Sequence, residues 1–128
     1  MKNSRVLLWA AAVLLSGCLT DSGLKLPEPK PVSAAAIRSA NLTGRVISIV
    51  VNCVVPQPCW GFTRTNYSKS RNSYAVTVYA SRITNDPCAD VLSSIDAPFS
   101  VTVEAAGSYS FQFWQYGGTT LDTTIVVQ

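Results

Sequence analysis

Tyr74-Ala75-Val76-Thr77-Val78-Tyr79-Ala80-Ser81 is the stretch that decides the fold of this chain. Tyr74, Val76, Val78 and Ala80 fall on one parity, while Thr77, Tyr79 and Ser81 fall on the other. Successive side chains of a strand point to opposite faces, so the pattern is a strand with one apolar face and one more polar face. The same alternation recurs further along the chain. Phe99, Val101 and Val103 are interleaved with Ser100, Thr102 and Glu104, and Tyr109, Phe111 and Phe113 with Ser110 and Gln112. Leu121, Thr123, Ile125 and Val127 share a face of a last strand. Upstream, Trp60 to Tyr67 alternates bulky and polar groups. Arg45 to Asn52 (RVISIVVN) is β-branched with aliphatic groups on both parities, which predicts a strand covered on both sides.

Turn signals separate these segments: Pro56 to Pro58, Ser68 to Ser73, Asn85-Asp86-Pro87, Ala106-Gly107 and Gly117-Gly118. Short strands at this spacing predict an all-β domain over residues 44–128, an antiparallel β-sandwich of about six to seven strands. The connections leave no room for crossover helices, so antiparallel pairing is expected throughout. Gly117-Gly118 reads as a tight hairpin, since paired glycines accept positive φ at both corners. No internal repeat is evident.

The full chain of 128 residues is 48% apolar and 13% charged, a composition that folds, with room for one domain. Lys2 and Arg5 lie in the first 17 residues, which carry no acid, so 8 basic and 7 acidic residues follow them. Without the leader the chain is nearly neutral. It has no basic face for phosphate, and no nucleic-acid partner is expected. There is no histidine, which removes the commonest general base and the commonest metal ligand.

Met1 to Arg5 is basic, and Val6 to Leu15 (VLLWAAAVLL) is uncharged and apolar. Ten helical residues rise about 15 Å, half of a hydrocarbon core of about 30 Å, which fits a signal peptide and not a membrane span. At its end stands Leu15-Ser16-Gly17-Cys18, which resembles the lipobox of bacterial lipoprotein precursors at all four positions. The resemblance implies a signal peptide over residues 1–17 and a membrane partner reached through a lipid on Cys18. It also implies a cell-envelope location. Leu19 stands where an aspartate would signal inner-membrane retention, so the outer membrane is implied where there are two membranes.

Residues 18–43 then read as a Pro-rich tether. Pro27, Pro29 and Pro31 alternate with Glu28 and Lys30, favouring extended backbone without ladder donors. Ser33 to Ala40 (SAAAIRSA) has the composition for two helical turns, marginal in isolation.

With Cys18 committed to lipid, Cys53, Cys59 and Cys88 remain, and an exported chain favours a disulfide. Three is an odd number, so one thiol is left over. A Cys59–Cys88 bridge would close a long loop and stabilise by roughly 3–4 kcal/mol, whereas Cys53–Cys59 would staple only the Pro56/Pro58 loop. Pro58-Cys59-Trp60-Gly61-Phe62, the Tyr74–Ala80 strand, Pro87-Cys88, Pro98-Phe99 and Gly107-Ser108-Tyr109 together resemble uncharacterised bacterial lipoprotein and secreted domains with an immunoglobulin-like sandwich. That resemblance implies the Cys59–Cys88 pairing, with Cys53 as an addition to the pattern. The spacing of the cysteines, without histidine, does not make a zinc site.

Catalytic signals are weak. A Ser–Lys pair would have to use Lys25, Lys30 or Lys69, two of them in the tether and one in a polar turn. Asp86, Asp90 and Asp96 crowd one connection and read as turn residues, leaving Glu104 and Asp122 to complete any carboxylate pair. Neither a phosphate-cradling glycine loop nor a calcium loop occurs. The expectation is a protein without enzymatic activity or cofactor. Its surface aromatics are the remaining lead: if Tyr109, Phe111 and Phe113 face inward, Trp114 and Tyr116 take the opposite parity. Such rings can stack on sugars or anchor a protein. Trp60 either joins them or packs on a disulfide. The expected function is a non-enzymatic binding or structural module. A carbohydrate-binding module is one alternative. The other is a protease inhibitor presenting the stiff Pro56-Gln57-Pro58 loop.

Overall fold

The computed structural model describes residues 26–128; the expected signal peptide over residues 1–17 and the expected lipidation position, Cys18, lie outside the described residues. Those residues form seven strands: β1 (Lys30–Thr43), β2 (Val46–Val55), β3 (Trp60–Ser70), β4 (Ser73–Arg82), β5 (Ser93–Thr102), β6 (Gly107–Trp114) and β7 (Thr120–Val127). They make an all-β sandwich. One layer is β1-β2-β5, and the other is β3-β4-β6-β7. The apolar parity of each strand supplies the core: Ile47, Ile49, Val51, Cys53 and Val55 from β2; Tyr74, Val76, Val78 and Ala80 from β4; Ala97, Phe99 and Val101 from β5; Tyr109, Phe111 and Phe113 from β6. Rings join the layers, with Phe99 meeting Phe111 at 5.9 Å and Phe113 edge-on at 6.1 Å between centroids. Burial of each such ring contributes about 1.5–3 kcal/mol.

Two departures from the expected pattern shape the molecule. First, the tether ends earlier than Thr43. The segment Ser33–Ala40 is strand, not helix, because β1 begins at Lys30 and forms a long hairpin with β2 around Gly44, which takes φ 59°. Tertiary pairing outweighs the helical preference of three alanines. Val32 and Ala34 enter the core, while Lys30, Pro31 and Val32 pair with Ala80, Tyr79 and Val78 of β4. Register shifts between Ala34 and Ala36, and between Ile37 and Ser39, accompany the passage of β1 from one layer to the other.

Second, pairing is not antiparallel throughout. Ser73–Val76 of β4 pair in parallel with Ser110–Phe113 of β6. The connection between them needs no crossover helix, because β5 makes the return journey in the opposite layer. At the start of β6, Tyr109 turns its hydroxyl back to the Ala105 carbonyl at 2.6 Å. This is the arrangement of a tyrosine corner, where a Greek-key chain crosses between sheets.

Cys59 and Cys88 are bridged, with 6.0 Å between their Cα atoms, and Cys53 is free and buried. The alternative Cys53–Cys59 pairing fails for a simple reason: Cys53 is on the inward parity of β2, among core side chains. Gly117 and Gly118 both take positive φ, 83° and 76°, as a tight β6–β7 turn requires.

Candidate functional site

The outer face of β3-β4-β6-β7 carries Tyr79 and Trp114, with Tyr116 in the turn after β6, while Tyr67, exposed on β3, packs against Tyr74 and Phe99 on the inner side. On β4, the outward parity is Ala75, Thr77, Tyr79 and Ser81, and on β6 it is Ser110, Gln112 and Trp114. Register then sets rows across the face: Ser68 opposite Ala75, Ala75 opposite Gln112, and Gln112 opposite Asp122. Ser73 and Ser110 join hydroxyls at 2.8 Å between β4 and β6. Beside the small side chain of Ala75 lies a shallow depression of about 300 Å³ lined by Asn66, Tyr67, Ser68, Ala75 and Thr77.

At one end of the face the aromatics converge on β1. Trp114 and Tyr116 meet edge-to-face at 4.9 Å between centroids, the first half-buried and the second exposed. The Tyr116 hydroxyl donates to the Pro31 carbonyl at 3.4 Å, and the Tyr116 amide donates to Ser33 Oγ at 3.2 Å. Gln115 fixes the same turn by donating from Nε2 to the Ala34 carbonyl at 2.8 Å, while Thr119 Oγ1 donates to Gln115 Oε1 at 3.0 Å. Pro31 pairs in turn with Tyr79, over whose ring the Arg64 guanidinium stands at 4.5 Å. A cation held over an aromatic face contributes about 0.5–1 kcal/mol at an exposed site. The result is a band of Arg64, Tyr79, Pro31, Tyr116 and Trp114 beside hydroxyl and amide side chains. Such a surface offers flat apolar patches with hydrogen-bonding groups next to them.

Trp114 and Tyr116 therefore stand together, on the parity opposite Tyr109, Phe111 and Phe113. Trp60 does not join them. It pairs with Arg82 and packs half-buried against the core, with its Nε1 enclosed and without a hydrogen-bond partner. Sequence reasoning passed over Pro31, which lay in the supposed tether, and Arg64. The outward parity of Tyr79 was visible, but its neighbours were not.

The opposite layer has its own polar feature. Asn52, buried, donates from Nδ2 to Asp96 Oδ1 at 2.9 Å and to the Ile95 carbonyl at 3.3 Å, and Arg38 Nε lies 3.4 Å from the same carboxylate oxygen. These contacts satisfy a covered amide on the outer face of β2. Beneath it, burial pushes the Cys53 thiol up to about 11, with the Asp96 charge adding to the effect. A thiol held protonated is a poor nucleophile and a poor metal ligand. Among the described residues, no three of His, Cys, Asp and Glu are grouped to hold a metal ion. No helix among them is long and apolar enough to cross a membrane.

Comparison with family models, with curated proteins and with solved structures found no match to this chain.

Proposed function

We propose that the chain is a non-catalytic binding module of the bacterial cell envelope, held at a membrane through lipid on Cys18, and at the outer membrane where there are two. It meets its partner on the outer face of β3-β4-β6-β7. The observation that carries this reading is the Trp114–Tyr116 pair, with Tyr79 and Arg64 on the same face. The core already has its rings, so these aromatics lie outside what the sandwich needs for packing. Outward rings beside polar side chains are a common basis for recognition. The leader and Leu15-Ser16-Gly17-Cys18 support the address.

A second reading, favoured by the same aromatic band with its Asn66, Thr77 and Gln112 neighbours, is carbohydrate binding. Sugar rings stack on aromatic faces while their hydroxyls bond to amides and hydroxyls. Intact mass and detergent partition of the native protein test the anchor: a diacylglyceryl adduct on Cys18 supports it, and an unmodified soluble chain removes it. Two experiments on Tyr116 and Trp114 test the face. A photocrosslinker at Tyr116 should yield one discrete protein adduct in intact envelopes, absent when it is placed at Arg45. If the ligand is a glycan instead, envelope polysaccharide should saturably change tryptophan emission, and Trp114→Phe should abolish that change. Silence in both would sink the proposed face.

A further inference from the structure

The two ends of the sandwich differ in character. At one end β1 begins, because Lys30 lies opposite Ala80 near the end of β4. The same end carries the β2–β3 connection of residues 56–59 and the β4–β5 connection of residues 83–92, tied by Cys59–Cys88. The β6–β7 turn joins them there through the bonds of Tyr116 to Pro31 and Ser33. The four most exposed of the large hydrophobic side chains among the described residues are all at this end: Leu92 at 75%, Ile83 at 66%, Tyr116 at 61% and Val91 at 59%. The opposite end has Arg45 and Arg71 in its two-residue turns and Glu104 in its third connection; its exposed large hydrophobics, Val126, Tyr67, Leu42 and Val46, are less exposed, at 57%, 54%, 39% and 37%.

The apolar prongs are held in place. The Ile83 amide donates to the Cys59 carbonyl at 3.0 Å, and a Cβ added at Gly61 would stand 2.7 Å from Ile83 Cγ2. Arg82 donates from Nη2 to the Asp86 carbonyl at 2.7 Å, and Ser93, next to Leu92, pairs with Val55. Ordering a loop on contact costs entropy, and here that cost is already met by the fold.

We infer that this end seats on a phospholipid bilayer, with Ile83, Val91 and Leu92 reaching into the boundary between headgroups and acyl chains. The inference rests on the proposed lipid anchor at Cys18. What selects a bilayer as the occupant is the chain that leaves this end. Residues 19–29 separate Cys18 from β1, and at about 3.3–3.6 Å per residue they reach no more than about 40 Å. With strands of about 10 residues, the sandwich is itself about 33 Å along its strands. A tether that short, leaving from the apolar end, keeps that end beside the membrane at high effective concentration. Aliphatic side chains held on one rim are suited to an interfacial contact. Asp86 and Asp90 lie in the β4–β5 connection, and Lys30 and Arg82 lie beside it at the ends of β1 and β4, so the attraction is apolar and not selective for anionic lipid. Strands standing upright on the bilayer leave the outer face of β3-β4-β6-β7 looking sideways, free for a partner.

The test reconstitutes the full-length lipidated protein in phosphatidylcholine vesicles containing brominated acyl chains. Tryptophan is introduced by Leu92→Trp or, at the opposite end, by Arg45→Trp, each compared with the parent protein. Quenching of the residue-92 signal several-fold stronger than that of residue 45, unchanged by added phosphatidylglycerol, is the expected result. Equal, weak quenching at both positions in protein whose mass shows lipid on Cys18 would overturn the seat and leave the anchor standing. Protein without lipid on Cys18 would overturn the anchor reading, and the seat with it.

Discussion

Tyr109 donates its hydroxyl to the carbonyl of Ala105 at 2.6 Å, across the corner by which the chain passes from β5 to β6. The ring is buried, so the bond holds a polar atom that would otherwise lose its water at the edge of the core. It also fixes the corner in front of Gly107, whose φ of 151° opens β6. Tyr109→Phe keeps the ring and removes the bond. The expected cost is about 1 kcal/mol in urea-induced unfolding, within the usual range for a single hydrogen bond. A shift indistinguishable from zero would mean that the corner is fixed by packing alone.

The parallel contact between β4 and β6 is only four residues long on each strand, so backbone bonds alone hold it weakly. Its strength comes from beneath, where the rings of Tyr74 and Phe111 stack at 5.1 Å with 15° between their planes. Phe111→Ala removes that stack together with its contact to Phe99, and is expected to destabilise by about 3–5 kcal/mol. Gln112→Ala, one residue along and facing outward, is expected to change stability by less than about 0.5 kcal/mol. Thermal unfolding of the two variants side by side tests whether inward parity, and not the strand itself, carries the energy.

These two elements also mark where the sequence stopped being informative. Alternation of apolar and polar residues in Tyr74–Ser81, Phe99–Glu104 and Tyr109–Phe113 was enough to place strands, faces and most of the core, because burial acts on each strand separately. Which strands lie side by side is a property of pairs. Nothing within β4 or β6 records that they run parallel, or that β5 returns through the other layer. β1 was hidden for a different reason: Ile37 is the single large apolar residue of Ser33–Ala40, too few to show an alternation, and the strand's burial depends on Val32, Ala34 and Ile37 fitting against strands far along the chain. The candidate site divides the same way. Trp114 and Tyr116 followed from parity, while Pro31 and Arg64 joined the face only through pairing with Tyr79 and placement over it.

Cys59 and Cys88 lie 29 positions apart, and their bridge joins the two connections at the apolar end. On the chain-entropy account, closing a loop of that length restricts the unfolded chain enough to stabilise the fold by about 3–4 kcal/mol. Reduction under native conditions, or the paired replacement Cys59→Ala with Cys88→Ala, is expected to lower stability by about that amount. The loss should appear first as faster hydrogen exchange across residues 83–92, which have little buried surface beyond the staple. Exchange unchanged there after reduction would show that Gly61, Ile83 and the Arg82–Asp86 contact hold the connection unaided.

Cys53 supplies the clearest dependence on pH. Desolvation by the core, with the Asp96 charge as the lesser cause, raises its thiol from 9.0 to about 11 in the folded chain. The sign follows from proton binding. Between those two values the unfolded chain has released the thiol proton and the folded chain retains it, so raising the pH favours unfolding. The contribution is present in full below pH 9 and is lost through the interval, the loss reaching about 2–3 kcal/mol by pH 11. Other groups titrate in the same range, so the quantity to measure is the difference between the parent protein and Cys53→Ala. The parent should lose stability more steeply with pH than the variant from pH 9 upward, and the two slopes should coincide below it. A thiol reagent provides the independent check: Cys53 should be unreactive at pH 8 in the folded protein and react as one free thiol per described domain once it is denatured. Parallel stability curves, or rapid labelling of the native protein, would mean that the core around Cys53 opens to water far more readily than its full burial implies.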